Sequence, residues 1–396
     1  MKKFTKLSLV AAVAVAGLTS ANAKPLEEAI KDVDVSGSVV YRYDQTKNDK
    51  GTGYTESNNY KIGLNLSSKV NDYVKFNSRF IVGDPDHGGF AKLDSKDGGF
   101  DGQADVTVSN AYFALTAIPN TTVNIGKQGL TTPWTKAMDI NGNEQTGTGV
   151  LALSSLGMLT VGAGYFNNSN LNASVEVNAG ITGLKLGDVA LDGGKDIGVV
   201  TVHADLDVAK VELWALNLAN TFTTYTVAVN GNYDLAENSK IGFDARYVNL
   251  NESQNDDDNS LVKLTVDGKV GIVNAKLMYA MTGKDGGLTA LDQDSQNTTL
   301  GWNISINGLE DATHLQATLG VDILDNLNLS ANYGTLTAKD GGTVGDYKAN
   351  ETYAQLTYKM SKNFNGYLRF GQNEVKDDSS KFVDQTRGRL QVNYLF

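Results

Sequence analysis

Apolar side chains recur at every second position through most of this 396-residue chain, a pattern that leaves few folds open. In 35–44, Val35, Val39, Tyr41 and Tyr43 alternate with Ser36, Ser38, Arg42 and Asp44. Residues 60–67 set Tyr60, Ile62, Leu64 and Leu66 against Lys61, Asn65 and Ser67. In 73–82, Val74, Phe76, Phe80 and Val82 oppose Lys75, Asn77 and Arg79. Period 2 marks strands with two unlike faces, and it returns at 225–233, 241–249, 262–267, 275–281, 315–321, 327–333 and 354–359. The last run, 389–396, puts Leu390, Val392, Tyr394 and Phe396 on one face and Arg389, Gln391 and Asn393 on the other. Chain ends usually fray, so a strand there has to be paired. Segments 106–116 and 209–219 alternate badly, and their faces stay unassigned.

The connections have a rhythm of their own. Short links at 70–72, 118–120, 154–157, 234–238, 323–326 and 360–363 take turns with long polar stretches at 45–56, 84–104, 128–148, 168–197, 250–258, 283–312, 337–350 and 374–385. All four prolines, at 25, 85, 119 and 133, fall outside the strands, as ladder hydrogen bonding requires. A soluble sandwich needs no short rim opposed to a long one. The pattern predicts an all-β, transmembrane antiparallel β-barrel of about 18 strands with short periplasmic turns and long external loops. Strand 389–396 then closes on the strand near 35–44, which removes every sheet edge.

The N-terminus agrees with that destination. Lysines at 2, 3 and 6 precede an apolar run from Leu7 to Leu18 and then Ala21-Asn22-Ala23, so 1–23 read as a cleavable signal peptide and 24–396 as one barrel domain. The apolar run is too short to span a bilayer. Leu26 to Lys31 reads as a helical turn ahead of the first strand. Taking away the three leader lysines shifts the net charge from −11 to −14, a poor match for nucleic acid. With no cysteine there is neither disulfide framework nor thiol chemistry.

Enzyme signals are weak. His87, His203 and His314 are far apart and read as solvated side chains. No H-E-x-x-H, G-x-S-x-G or P-loop pattern occurs, and the three K-D-G-G stretches at 96–99, 284–287 and 339–342 read as turns. Asp256-Asp257-Asp258 reads as a solvated loop tip. No enzymatic activity and no cofactor are expected.

Three stretches resemble a known family. "PLEEAIKDVDVSGS" with "YRYD" (25–44), "GKQGLTTPWTKAMD" followed by "GTGV" (126–150) and the closing "RLQVNYLF" are similar to the Campylobacter-type major outer membrane porins. The resemblance implies a homotrimeric, eighteen-stranded, cation-preferring general diffusion porin of the bacterial outer membrane. It would sit among outer-membrane lipids and lipopolysaccharide and pass ions and small hydrophilic solutes passively. Lys136 stands where that family tends to be acidic, which argues against a divalent-ion site on this loop.

Alternation places all six arginines, Arg42, Arg79, Arg246, Arg369, Arg387 and Arg389, opposite the apolar faces. A lipid-facing arginine at mid-depth would cost about 2–4 kcal/mol. Five of the six lie on the first, third and last two strands, an arc once the barrel closes, and Lys61 and Lys75 add to it. The resemblance implies that 128–148 folds inward as a constriction, bringing Lys127, Lys136, Asp139 and Glu144 against that arc. Hydrated carboxylates facing guanidiniums would create a transverse field, and the net charge favours cations. Two alternatives stay open: a substrate-selective channel lined by ordered aromatics and arginines, and a surface adhesin on a barrel platform.

Overall fold

The computed structural model describes residues 33–49, 53–85, 88–95, 104–171, 195–253, 258–339, 346–377 and 380–396. The leader, the helical turn at 26–31, His87, the K-D-G-G at 96–99 and the acidic pair Asp256-Asp257 lie outside the described residues. Nineteen strands run in chain order as β1 (Val33–Asn48), β2 (Tyr54–Asn71), β3 (Val74–Gly83), β4 (Ala91–Ser95), β5 (Asp105–Leu115), β6 (Thr121–Gly129), β7 (Thr146–Leu156), β8 (Leu159–Ser169), β9 (Ile197–Asp205) and β10 (Lys210–Leu218). They continue as β11 (Phe222–Ala236), β12 (Ser239–Glu252), β13 (Asp258–Val270), β14 (Val273–Thr282), β15 (Thr313–Leu324), β16 (Leu327–Ala338), β17 (Tyr347–Ser361), β18 (Phe364–Lys376) and β19 (Lys381–Leu395).

All neighbouring pairs are antiparallel, and β1 pairs with both β2 and β19. Short β4 extends the sheet above β3 by pairing with the upper part of β2, so the wall is a closed barrel of 18 strands. Closure runs to the last residue. Tyr394 lies opposite Val39, the Gly37 amide donates to the Phe396 carbonyl at 2.8 Å, and the Phe396 amide donates back to Gly37 at 3.1 Å. A Cβ at Gly37 would strike the Phe396 ring, so glycine is what admits that aromatic.

The short rim consists of tight turns, with Asn238 and Gly271 at φ 61° and 57°, the left-handed region that asparagine and glycine tolerate best. Outward side chains form an apolar surface: Phe113, Leu213, Leu264, Leu277, Leu319, Leu368, Phe370, Leu390 and Tyr394 are all exposed. Such a band in water would cost about 25 cal/mol per Å². Against hydrocarbon it costs nothing.

The core lies inside the barrel. Leu130, Trp134, Leu288 and Leu291 from two inward loops pack on Phe166, Ile197, Val199, Leu216, Leu218, Phe222 and Leu250 of the wall. A second cluster joins Ile304, Ile306 and Ala312 to Val248, Leu261, Met278, Leu336 and Val375. The lumen is therefore not a water-filled tube throughout. Along β8–β12 it holds a packed apolar filling.

Candidate functional site

Two connections of the long-loop rim fold inward and meet. The third, 130–145, follows β6. The seventh, 283–312, follows β14 and covers the lumenal faces of β12, β13 and β17. Amides of Leu291 and Asp292 donate to the Trp134 carbonyl at 2.9 and 3.1 Å, and the Asn297 amide donates to the Pro133 carbonyl at 2.9 Å. The Asp292 carboxylate, fully buried, accepts from the Lys136 amide at 2.7 Å and from Gln145 Nε2.

The third loop is tied to the wall by its acids. Glu144 Oε1 accepts from Lys61 Nζ at 2.6 Å and Arg79 Nη2 at 3.0 Å, and Oε2 accepts from Arg79 Nε at 3.1 Å and Ser109 Oγ at 2.8 Å. Burial pushes its carboxyl up, but Arg79 and Lys61 outweigh that and hold it below the ordinary value. Asp139 closes a turn, accepting from the Asn141 amide at 2.9 Å, the Asn143 amide at 2.8 Å and Asn143 Nδ2 at 2.8 Å. Burial raises its pKa against those donors.

The hydrated carboxylates expected from sequence are thus dehydrated. Both are almost fully buried, because cationic, hydroxyl and amide donors of the protein replace their water. A divalent cation does not fit this donor set, since the lone pairs it would need already accept hydrogen bonds. Among the described residues no three His, Cys, Asp or Glu side chains gather into a ligand set.

All six arginines face the lumen. Arg42 donates to the Ile140 carbonyl at 3.1 Å and to Gln391 Oε1 at 2.8 Å, with Phe90 stacked 4.1 Å from its guanidinium. Arg389 pairs with Asp44 at 2.5 Å, and the strand register puts it directly opposite Arg369. Arg387, two residues before it on β19, donates to Asn303 Oδ1 and lies 5.6 Å from the Trp302 ring. Arg369 sits 5.0–5.2 Å from the rings of Tyr353, Trp302 and Tyr367. The four form a climbing arc on β1, β18 and β19, and loop atoms from Ile140, Trp302 and Asn303 border it. Arg246 stands apart, donating to Gln296 and Asn297 of the seventh loop at 3.3 Å each.

One residue assigned to the constriction, Lys127, lies elsewhere. Lys127 pairs across with Ala111 and Thr148, on the outward side with Ile125 and Val150, and its ammonium donates 2.8 Å to the Val108 carbonyl. A bulge of β5 opposite Arg79 and Phe80 disturbs the ladder beside that carbonyl. Lys136 enters the loop junction through its backbone amide. His314 is not solvated either: it is fully buried under the seventh loop, with Nδ1 2.6 Å from Thr299 Oγ1.

Sequence reasoning missed Asp294 and Glu351. Asp294 lies against the Ile140 amide, and burial together with Asp139 pushes its pKa up to about 6 despite Lys136. Glu351 of β17 accepts from the amides of Trp302 and Asn303 at 2.8 Å each. A Cβ at Gly301 would overlap its Oε1. Gly301→Ala should therefore detach Trp302 from the wall, forfeiting hydrogen bonds to a carboxylate worth about 1.5–3 kcal/mol each. Liposome swelling with sugars of rising size should show larger solutes passing. An unaltered size limit would mean the anchor does not set the opening.

Comparison with known proteins extends the fold. No curated protein sequence matches the chain. Pseudomonas aeruginosa OpdL superposes with a TM-score of 0.73 at 15% identity, over 92% of this chain and 99% of that one. Acinetobacter baumannii OccAB1 gives 0.71 at 17%, over 92% and 97%. The outer membrane protein OprD of Pseudomonas aeruginosa gives 0.68 at 17%, over 91% and 93%. The sequence profile described as the Campylobacter major outer membrane protein matches residues 1–396. With the closed barrel, the apolar exterior and the inward loops in place, the chain belongs to the Campylobacter major outer membrane protein family.

Proposed function

We propose that the protein is a non-enzymatic outer-membrane porin for passive passage of ions and small hydrophilic solutes. The observation that carries this reading is the polar border between the arginine arc and the two inward loops, inside a barrel whose outside is apolar. The chain is exported by its signal peptide, matures at Lys24 and assembles as a homotrimer among outer-membrane lipids and lipopolysaccharide. It uses no cofactor.

Cation preference follows from the mouths, with Asp294 adding to it in the narrows. Acidic side chains crowd both rims, with Asp49, Asp84, Asp196 and Asp346 at one and Asp72, Asp207, Asp234 and Asp325 at the other. Arg42, Arg369 and Arg387 stand at the constriction, and their partners there are neutral groups and rings. Mouth charges act through solvent, where the Debye length falls from about 10 Å at 0.1 M salt to about 3 Å at 1 M. Reversal potentials in planar bilayers should show cation preference at low salt that fades at high salt. Preference should also weaken as pH drops through about 6, because Asp294 then loses its negative charge. Selectivity independent of both salt and pH would overturn this assignment.

One observation favours the substrate-selective alternative. Arg369 among three aromatic rings is a surface on which a planar anionic solute can rest. Saturable block of ion current by such a solute, lost in Arg369→Gln, would support it. Linear dependence of flux on solute concentration would leave simple diffusion.

A further inference from the structure

The third and seventh loops meet through apolar packing of Leu130 and Trp134 with Leu288 and Leu291, three backbone bonds and the buried Asp292 carboxylate. Trp134 and Pro133 carbonyls receive amides of the seventh loop at 2.9–3.1 Å, which docks one loop on the other. The carboxylate does more. Asp292 Oδ2 takes the Lys136 amide at 2.7 Å while Oδ1 takes Gln145 Nε2, so a single carboxylate holds the loop on both sides of its turn. Neither Asp292 nor Gln145 is accessible to solvent. Two residues on, Asp294 lies at the Ile140 amide, and the Ile140 carbonyl takes Arg42 at 3.1 Å. A chain of contacts thus leads from Asp292 through the loop tip to the arginine arc.

We propose that Asp292 is the positioning residue of the constriction: it staples the seventh loop to the third so that they move as one body, and so keeps Asp294 at the Ile140 amide. The inference rests on the porin reading. Both partners of the carboxylate are donors, so both of its oxygens accept. Taking the carboxylate away leaves the Lys136 amide and the Gln145 side chain buried without an acceptor. A looser staple leaves the backbone bonds at Pro133 and Trp134 in place but frees the 136–145 side of the third loop to move against the seventh, which a channel reports as flicker.

The test uses variants of the full-length protein in planar bilayers. Asp292→Ala should raise open-channel noise and the population of substates. Gln145→Glu should do the same by facing two carboxylates. Adding Asp292→Asn to Gln145→Glu restores a donor–acceptor pair. The new amide keeps its oxygen on the Lys136 amide and turns its NH2 to the carboxylate introduced at position 145. Currents should quieten again, the substate population falling about tenfold or more from that of Gln145→Glu alone. Asp294→Asn should shift the reversal potential without flicker. Quiet currents in Asp292→Ala, or flicker in Gln145→Glu that the added Asp292→Asn does not reduce, overturn the proposal. Gln145→Leu keeps the carboxylate and removes one donor, so it carries the same test if Asp292→Ala assembles poorly: flicker supports the staple, and quiet current refutes it. A wild-type protein that opens no channel sinks the porin reading itself, an outcome separate from the variants.

Discussion

Glu144→Ala should cost about 3–5 kcal/mol of stability, the range for breaking a buried ion pair from one side. Lys61 and Arg79 would be left with their charges among desolvated neighbours, at 3% exposure for Lys61. Their attraction to Glu144 is strong because little water screens it. Sequence alone suggests the contrary, since a hydrated lumen charge has almost no packing to lose. The pH dependence has a definite sign. The folded carboxyl is held below its ordinary value, so its stabilisation is fully present above about pH 4.3, the unfolded pKa, and is lost as pH falls through the folded value. Urea titrations followed by heat-modifiable gel mobility should show that acid step in the wild type and not in the variant. Equal stability of the two proteins at neutral pH would mean the cluster is not formed.

Removal of residues 389–396 should abolish assembly. Those residues pair on one side with β1, from Gly37 to Asp44, and on the other with β18, from Phe364 to Arg369. Truncation unpairs both strands within the bilayer, where each orphaned backbone group costs several kcal/mol. Deleting Phe396 alone removes two hydrogen bonds to Gly37 and the ring that stacks 5.8 Å from Tyr394, so folded yield should fall without vanishing. Barrel formation in detergent or vesicles, read from the mobility difference between boiled and unboiled protein, measures both. A truncated chain that folds at wild-type yield would show that closure happens elsewhere.

Alternation made the barrel legible wherever one face meets lipid and the other meets water. It failed at 209–219 for a physical reason. Val211, Leu213 and Ala215 face out, yet Trp214, Leu216 and Leu218 are also needed inside, where they pack against the loops. Two apolar faces erase the period. At 106–116 the β5 bulge puts Ser109 and Asn110 in succession against Arg79, and the phase slips by one residue. The arginine arc was readable because lipid excludes guanidinium from half the positions. Asp292, Asp294 and Glu351 were not, since each acts through a contact with residues tens to more than a hundred positions away. Lys127 misled because closeness to the loop in sequence says nothing about which side of the wall a lysine takes.

The apolar filling along β8–β12 has a bearing on biogenesis. Strands wet on one side tolerate waiting in water before insertion, whereas these five carry hydrophobic side chains on both sides until the loops arrive. The loop that covers them comes partly from 283–312, roughly a hundred residues or more downstream of Phe166 and Ile197. In any intermediate lacking that segment, Phe166, Ile197, Leu216 and Phe222 stand uncovered, an invitation to aggregation. Chaperone escort in the periplasm is therefore most needed for this middle third, and a later part of the chain is what makes that middle part safe.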